Sequence, residues 1–161
     1  MPRLIEENEN EKAMENGIER LRSHSRANTI RIFLVDDSNV FIRVASQFLS
    51  LPPKYEIVGS STSGELAIDQ IRNLKPDLVI IDLVMPGMNG MEAARLVKKM
   101  ALSPRVILIS FQENPEYRST AKAVGADGFL TKTDFGDKVI PTIDELFFGS
   151  KSAQENNYVA I

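Results

Sequence analysis

No cysteine occurs among the 161 residues, which excludes disulfides, thiolate metal sites and thiol nucleophiles and is compatible with a reducing compartment. Long apolar runs are also missing. Those present, such as Leu78-Val79-Ile80-Ile81, are strand-sized, far short of the roughly 20 residues a membrane helix needs. Basic charge is not in excess: the formal net charge is −3, so there is no general reason to expect direct nucleic-acid binding. A basic-then-apolar leader is lacking too, because Glu6, Glu7, Glu9 and Glu11 make the N-terminus acidic. These absences lead us to expect a soluble, cytoplasmic protein.

What is present is ordinary globular usage, 43% hydrophobic and 25% charged, enough for one domain with a real core. Residues 1–28 read as an extension, partly helical or disordered. Within it, Met14, Ile18 and Leu21 share helical spacing, while Gly17 weakens the helix. Arg20, Arg22, Arg26 and Arg31 form a loose basic cluster without interleaved aromatics, which reads as a solvated face. Residues 149–161 read as a flexible tail. Between them, residues 29–148 alternate strand and helix patterns.

The pattern predicts a strand over Ile30–Val35, then a helix capped by Asp37 or Ser38 with Val40, Val44 and Phe48 on one stripe. A second strand follows over Tyr55–Gly59. Thr62 and Glu65 have capping-box spacing before a helix lined by Ala67, Ile71 and Leu74. A third strand, Leu78–Asp82, precedes a helix opened by Asn89-Gly90. Arg105–Ser110 makes a fourth strand, and Asn114-Pro115 starts a helix that Gly125 ends. Gly128–Lys132 makes a fifth strand. In the last helix Pro141 should sit in the first turn or kink the backbone.

Apolar strands alternating with amphipathic helices imply a doubly wound α/β fold with a five-stranded parallel sheet, for which 2-1-3-4-5 is a common order. That order brings Asp36, Asp37 and Asp82 to one crevice at the switch point, with Ser110 and Lys132 alongside. Three acids at two apolar strand tips suggest a metal site holding a nucleophile, because unpaired charge at such places is costly. Mutual repulsion would call for a hard divalent cation, and magnesium suits carboxylate oxygens.

The ordered set of Val35-Asp36-Asp37-Ser38, Asp82 with Met85-Pro86-Gly87-Met88-Asn89-Gly90, Ser110, and Gly128-Phe129-Leu130-Thr131-Lys132 resembles the receiver domain of bacterial two-component response regulators. The resemblance implies Asp82 as phosphoacceptor and Mg2+ as cofactor, ligated by Asp37, by Asp36 mainly through water, by Asp82 and by the Val84 carbonyl. It gives Lys132 the task of pairing with Asp82 and then the phosphoryl oxygens, and makes Ser110 and Phe129 the switch pair. A sensor histidine kinase or histidine phosphotransfer protein would donate the phosphoryl group, since the only histidine, His24, lies in the extension. The output partner is not written in the chain, and a monomer or weak homodimer is expected.

The resemblance implies a phosphoacceptor rather than a separate enzyme, one that promotes its own aspartyl phosphorylation and dephosphorylation. The alternatives are a phosphorylation-independent docking module and the receiver piece of a DNA-binding regulator. A haloacid-dehalogenase chemistry would need an acid two residues after the nucleophile, where Val84 stands. Phe111 follows Ser110 where the family usually has a small residue, and Thr133 follows Lys132 where many relatives have proline.

Overall fold

The computed structural model describes residues 11–18 and 29–149. The sequence expectations for Leu21, His24, the basic cluster up to Arg26 and the tail from residue 150 lie outside the described residues. Residues 11–18 form a helix, α1, every residue of which is exposed. The remaining elements run β1 Ile30–Val35, α2 Asn39–Leu49, β2 Tyr55–Ser61, α3 Gly64–Leu74, β3 Leu78–Asp82, α4 Gly90–Lys98, β4 Arg105–Ser110, α5 Pro115–Ala123, β5 Gly128–Thr131 and α6 Phe135–Phe148. Among the described residues no helix is long and apolar enough to cross a membrane.

All five strands are parallel, in the order β2-β1-β3-β4-β5. Strand periodicity divides the core into two layers. Ile32, Leu34, Ile80, Ile107, Ile109 and Leu130 pack against Ala45 and Leu49 of α2 and Val139 and Ile143 of α6. Phe33, Val35, Val79, Ile81, Leu108 and Phe129 face α3, α4 and α5. Burial on both faces is why the strands read as near-continuous apolar runs.

Several local expectations change. In α2 the inward stripe is Ala45 and Leu49, flanked by Phe41 and Phe48, whereas Val40 and Val44 are 61% and 56% exposed. The four-residue spacing was right, but the stripe lies about 100° round the helix. The cap of α3 is Ser63, whose hydroxyl accepts from the Leu66 N–H, not Thr62. Strand β2 runs on to Ser61, with a register shift after Ile32 that sets Phe33 opposite Gly59. A Cβ at Gly59 would lie 2.8 Å from the Phe33 ring, so only glycine fits there. Strand β5 stops at Thr131, one residue before Lys132. Pro141 sits inside α6 beyond its first turn. It is tolerated because the carbonyl it leaves without a donor belongs to exposed Asp137.

Candidate phosphoacceptor site

The carboxyl ends of four adjacent strands deliver the chemistry. Asp36 directly follows β1, Asp82 ends β3, Ser110 ends β4 and Lys132 follows β5. Carboxylate oxygens from Asp36, Asp37 and Asp82 all lie within 4.8 Å of one another. Asp36 and Asp82 are buried and Asp37 is exposed. The sheet order therefore brings together the acids that the sequence placed in one crevice.

Lys132 Nζ lies 2.6 Å from Asp36 Oδ2 and donates to Asp82 Oδ2 at 3.2 Å, with its side chain only 3% exposed. Asp36 Oδ1 accepts the Ser38 N–H at 2.8 Å. The close approach of Lys132 to Asp36 Oδ2 is a charge contact without hydrogen-bond geometry, and that buried oxygen has no hydrogen-bond partner. Asp82 Oδ1 accepts the Val84 N–H at 3.3 Å. Burial, and then the Asp36 carboxylate, push the Asp82 carboxyl up to about 6, more than Lys132 and the Val84 N–H pull it back.

Three carboxylates against one ammonium leave two negative charges in excess, and one dication would cancel them. The donors are all hard oxygens gathered within 4.8 Å, which is a fit to magnesium.

The β3–α4 loop is held from below. Glu65 Oε1 accepts the Met88 N–H at 2.7 Å, and its other oxygen takes the Ser63 hydroxyl at 2.9 Å. Its own N–H, then that of Met88, then the Ser63 hydroxyl hold its carboxyl below the usual range. Capping-box spacing had assigned Glu65 a purely local task, and its grip on the loop is a tertiary contact. Gly87 has φ +72° and sits against this carboxylate, a conformation and a closeness that glycine accommodates. A Cβ at Gly90 would collide with the Asp82 carbonyl, and the Gly90 N–H donates to the Leu83 carbonyl at 2.9 Å.

Ser110 is buried, and its hydroxyl accepts the Gln112 N–H at 3.1 Å. Phe129 is fully buried in the layer facing α3–α5, with the Arg118 guanidinium 5.2 Å from its ring centroid. A ring with no hydroxyl leaves no polar atom unpaired there.

Sequence reading did not foresee the aromatic partners of Lys132. Its ammonium lies 4.6 Å from the Phe41 ring centroid and 4.8 Å from that of Phe111. Phe41 is itself braced edge-to-face on Phe135 at 5.2 Å, whereas Phe111 is 74% exposed. The unusual residue after Ser110 is therefore one wall of a cation–π clasp. The one available signal for Phe41 was an aromatic in the first turn after the acid pair.

Residues 32–143 match the family model for the response regulator receiver domain. The nitrate/nitrite response regulator NarL of Escherichia coli K12 is 38% identical over 101 residues, covering 63% of this chain and 47% of that protein. Among solved structures, the NarL signal receiver domain of Mycobacterium tuberculosis superposes with a TM-score of 0.65 at 32% identity. That match covers 71% of this chain and 95% of the other. The response regulator domain of Thermotoga maritima CheB gives 0.68 at 30% identity, covering 73% and 95%. The chain spans about half, 47%, of the length of the curated NarL it matches. With the sheet order and the strand-end acids already in place, the match over residues 32–143 decides the matter: this chain belongs to the response regulator receiver family of two-component signal transduction.

Proposed function

We propose that Asp82 is the phosphoacceptor of this receiver and that Asp36, Asp37 and the Val84 carbonyl complete, with Asp82, the protein ligands of a Mg2+ ion. Family members are in general phosphorylated on an aspartate and bind magnesium in an acidic pocket. The observation that carries the assignment here is one acid at the tip of β3, with two further carboxylates within 4.8 Å and a buried lysine at 3.2 Å.

An Asp82 carboxylate oxygen attacks the phosphorus of a phosphohistidine on a sensor kinase or phosphotransfer protein. A P–O bond forms, the P–N bond breaks and the imidazole departs, leaving an acyl phosphate. When bound, the magnesium ion supplies positive charge for the carboxylates and the phosphoryl oxygens. Lys132, held by Phe41 and Phe111, exchanges part of its pairing with Asp82 for the new phosphoryl oxygens. Ser110 leaves the Gln112 N–H to donate its hydroxyl to the phosphoryl group, and Phe129 is already inward, so the switch turns on the β4–α5 loop. The chain thereby promotes its own phosphorylation and dephosphorylation without being an enzyme toward other substrates.

This reading has the folded elements from Ile30 to Phe148 as the receiver, residues 29–148. Residues 1–28 then form its extension and 149–161 its tail. It operates in the cytoplasm, where kinase domains draw on ATP, as a monomer or weak homodimer, and passes its state to an output protein through protein contacts.

Acetyl phosphate with MgCl2, followed by intact mass, tests the reading. The wild-type chain gains one phosphate, Asp82→Asn gains none, and EDTA abolishes the gain. An unmodified wild type would favour the phosphorylation-independent docking module, for which the exposed Phe111 ring over Lys132 is the supporting observation.

A further inference from the structure

The end of the sheet remote from the carboxylates carries a groove of about 500 Å3 between α3 and α4. Its apolar lining includes Ile71, Leu96, Met100 and Leu102, of which Leu102 is 74% and Leu96 39% exposed. Its rim is basic. Arg72 is paired with Asp69 at 2.7 Å, but Lys75 and Lys99 form no ion pair among the described residues. Lys75 holds the left-handed conformation (φ 49°), and Arg31 Nη1 donates to its carbonyl and to that of Leu74, each at 2.8 Å. The start of β1 is thus tied to the edge of the groove.

The preceding described element is α1. At 100° per residue, Glu11, Met14, Glu15 and Ile18 fall within a sector of about 100°. That face, apolar and acidic together, is exposed: Met14 is 69% and Ile18 43% exposed. Its chemistry complements a groove that is apolar on its floor and basic at its rim. Residues 19–28 separate α1 from Thr29, and ten residues reach about 33 Å when extended, roughly the width of a small domain.

We propose that α1 docks in cis on this groove, with Met14 and Ile18 on Leu96, Met100 and Leu102, and Glu11 and Glu15 facing Lys75 and Lys99. So small a contact is weak between separate molecules, but a short tether raises the effective concentration to the millimolar range. The α3–α4 groove is then an intramolecular interaction surface, independent of the phosphoacceptor assignment.

The absence of cysteine makes the test direct. The 161-residue chain with Ala13→Cys carries a single nitroxide on the outer side of α1, and amide spectra are recorded with the label oxidised and reduced. The expected result is selective loss of the Arg72–Lys75 and Leu96–Leu102 peaks, independent of protein concentration, with Asp82 and Ser110 unaffected. Lys75→Glu with Lys99→Glu should abolish that loss, and adding Glu11→Lys and Glu15→Lys should restore it. Uniform or absent broadening, or failure of the charge swap to restore it, overturns the proposal. Broadening only in a mixture of spin-labelled and isotope-labelled molecules also overturns it and assigns the groove to a second copy.

Discussion

Two clusters of acids and bases sit at opposite ends of the sheet, and they are built on opposite terms. At the amino end, just before β5, Asp127 takes Lys98 Nζ at 3.0 Å, Arg105 Nη1 at 2.9 Å and the Val106 N–H at 2.8 Å. One carboxylate there faces two cations, and each of its oxygens is satisfied. At the carboxyl end one ammonium pairs with two of three clustered carboxylates, one oxygen has no hydrogen-bond partner, and Asp82 is pushed up to about 6. A buried charge that is fully paired holds strands together, whereas one left short of partners is poised for a ligand.

The comparison gives opposite signs to similar substitutions. Asp127→Asn should destabilise the fold by roughly 3 kcal/mol, because it strands two partly buried cations. Urea unfolding measures this. Asp82→Asn should stabilise the metal-free protein by about 1–2 kcal/mol at pH 7 in EDTA, since it removes a repelled, buried carboxylate. Because the folded Asp82 carboxyl is raised, that gain should shrink as pH falls through about 6 and the wild-type group takes up its proton. Equal signs for the two variants would erase the distinction.

A smaller effect sharpens the picture at Lys132. Phe111→Ala frees one face of the ammonium, worth about 1 kcal/mol, so labelling by acetyl phosphate should accelerate about fivefold. Intact mass against time reads it, and an unchanged rate would make the ring a bystander. Smallest is Asp144, which Lys54 Nζ approaches at 2.7 Å and the Tyr55 hydroxyl at 2.6 Å. Burial alone would raise its carboxyl, but these two partners outweigh it and hold it below the usual range. Its stabilisation, under about 1 kcal/mol at such exposure, is present at neutral pH and fades as pH falls through the lowered value. Wild type and Asp144→Asn should therefore differ in melting temperature at pH 7 and converge once the pH lies below the lowered value.

The crevice was legible because strand tips announce themselves: apolar runs ending in Asp36, Asp82, Ser110 and Lys132 leave few places for those groups to go, and a doubly wound sheet gathers them. Helix faces were less legible. Val40, Val44 and Phe48 satisfy helical spacing as well as Phe41, Ala45 and Leu49 do, and only packing against the sheet chooses between the stripes. The grip of Glu65 on Met88 and the Phe41–Lys132–Phe111 clasp join residues far apart in sequence. No local periodicity encodes such pairs. Asp127 gave no signal either, since a single acid before a strand looks like any turn residue.

The bare backbone of Gly90 against the Asp82 carbonyl has a mechanical consequence. A side chain at that point would act as a cushion, rotating to absorb small movements of the strand tip. Without one, peptide bears on peptide, and a displacement at the tip of β3 pushes directly on the first turn of α4 as on the end of a rod.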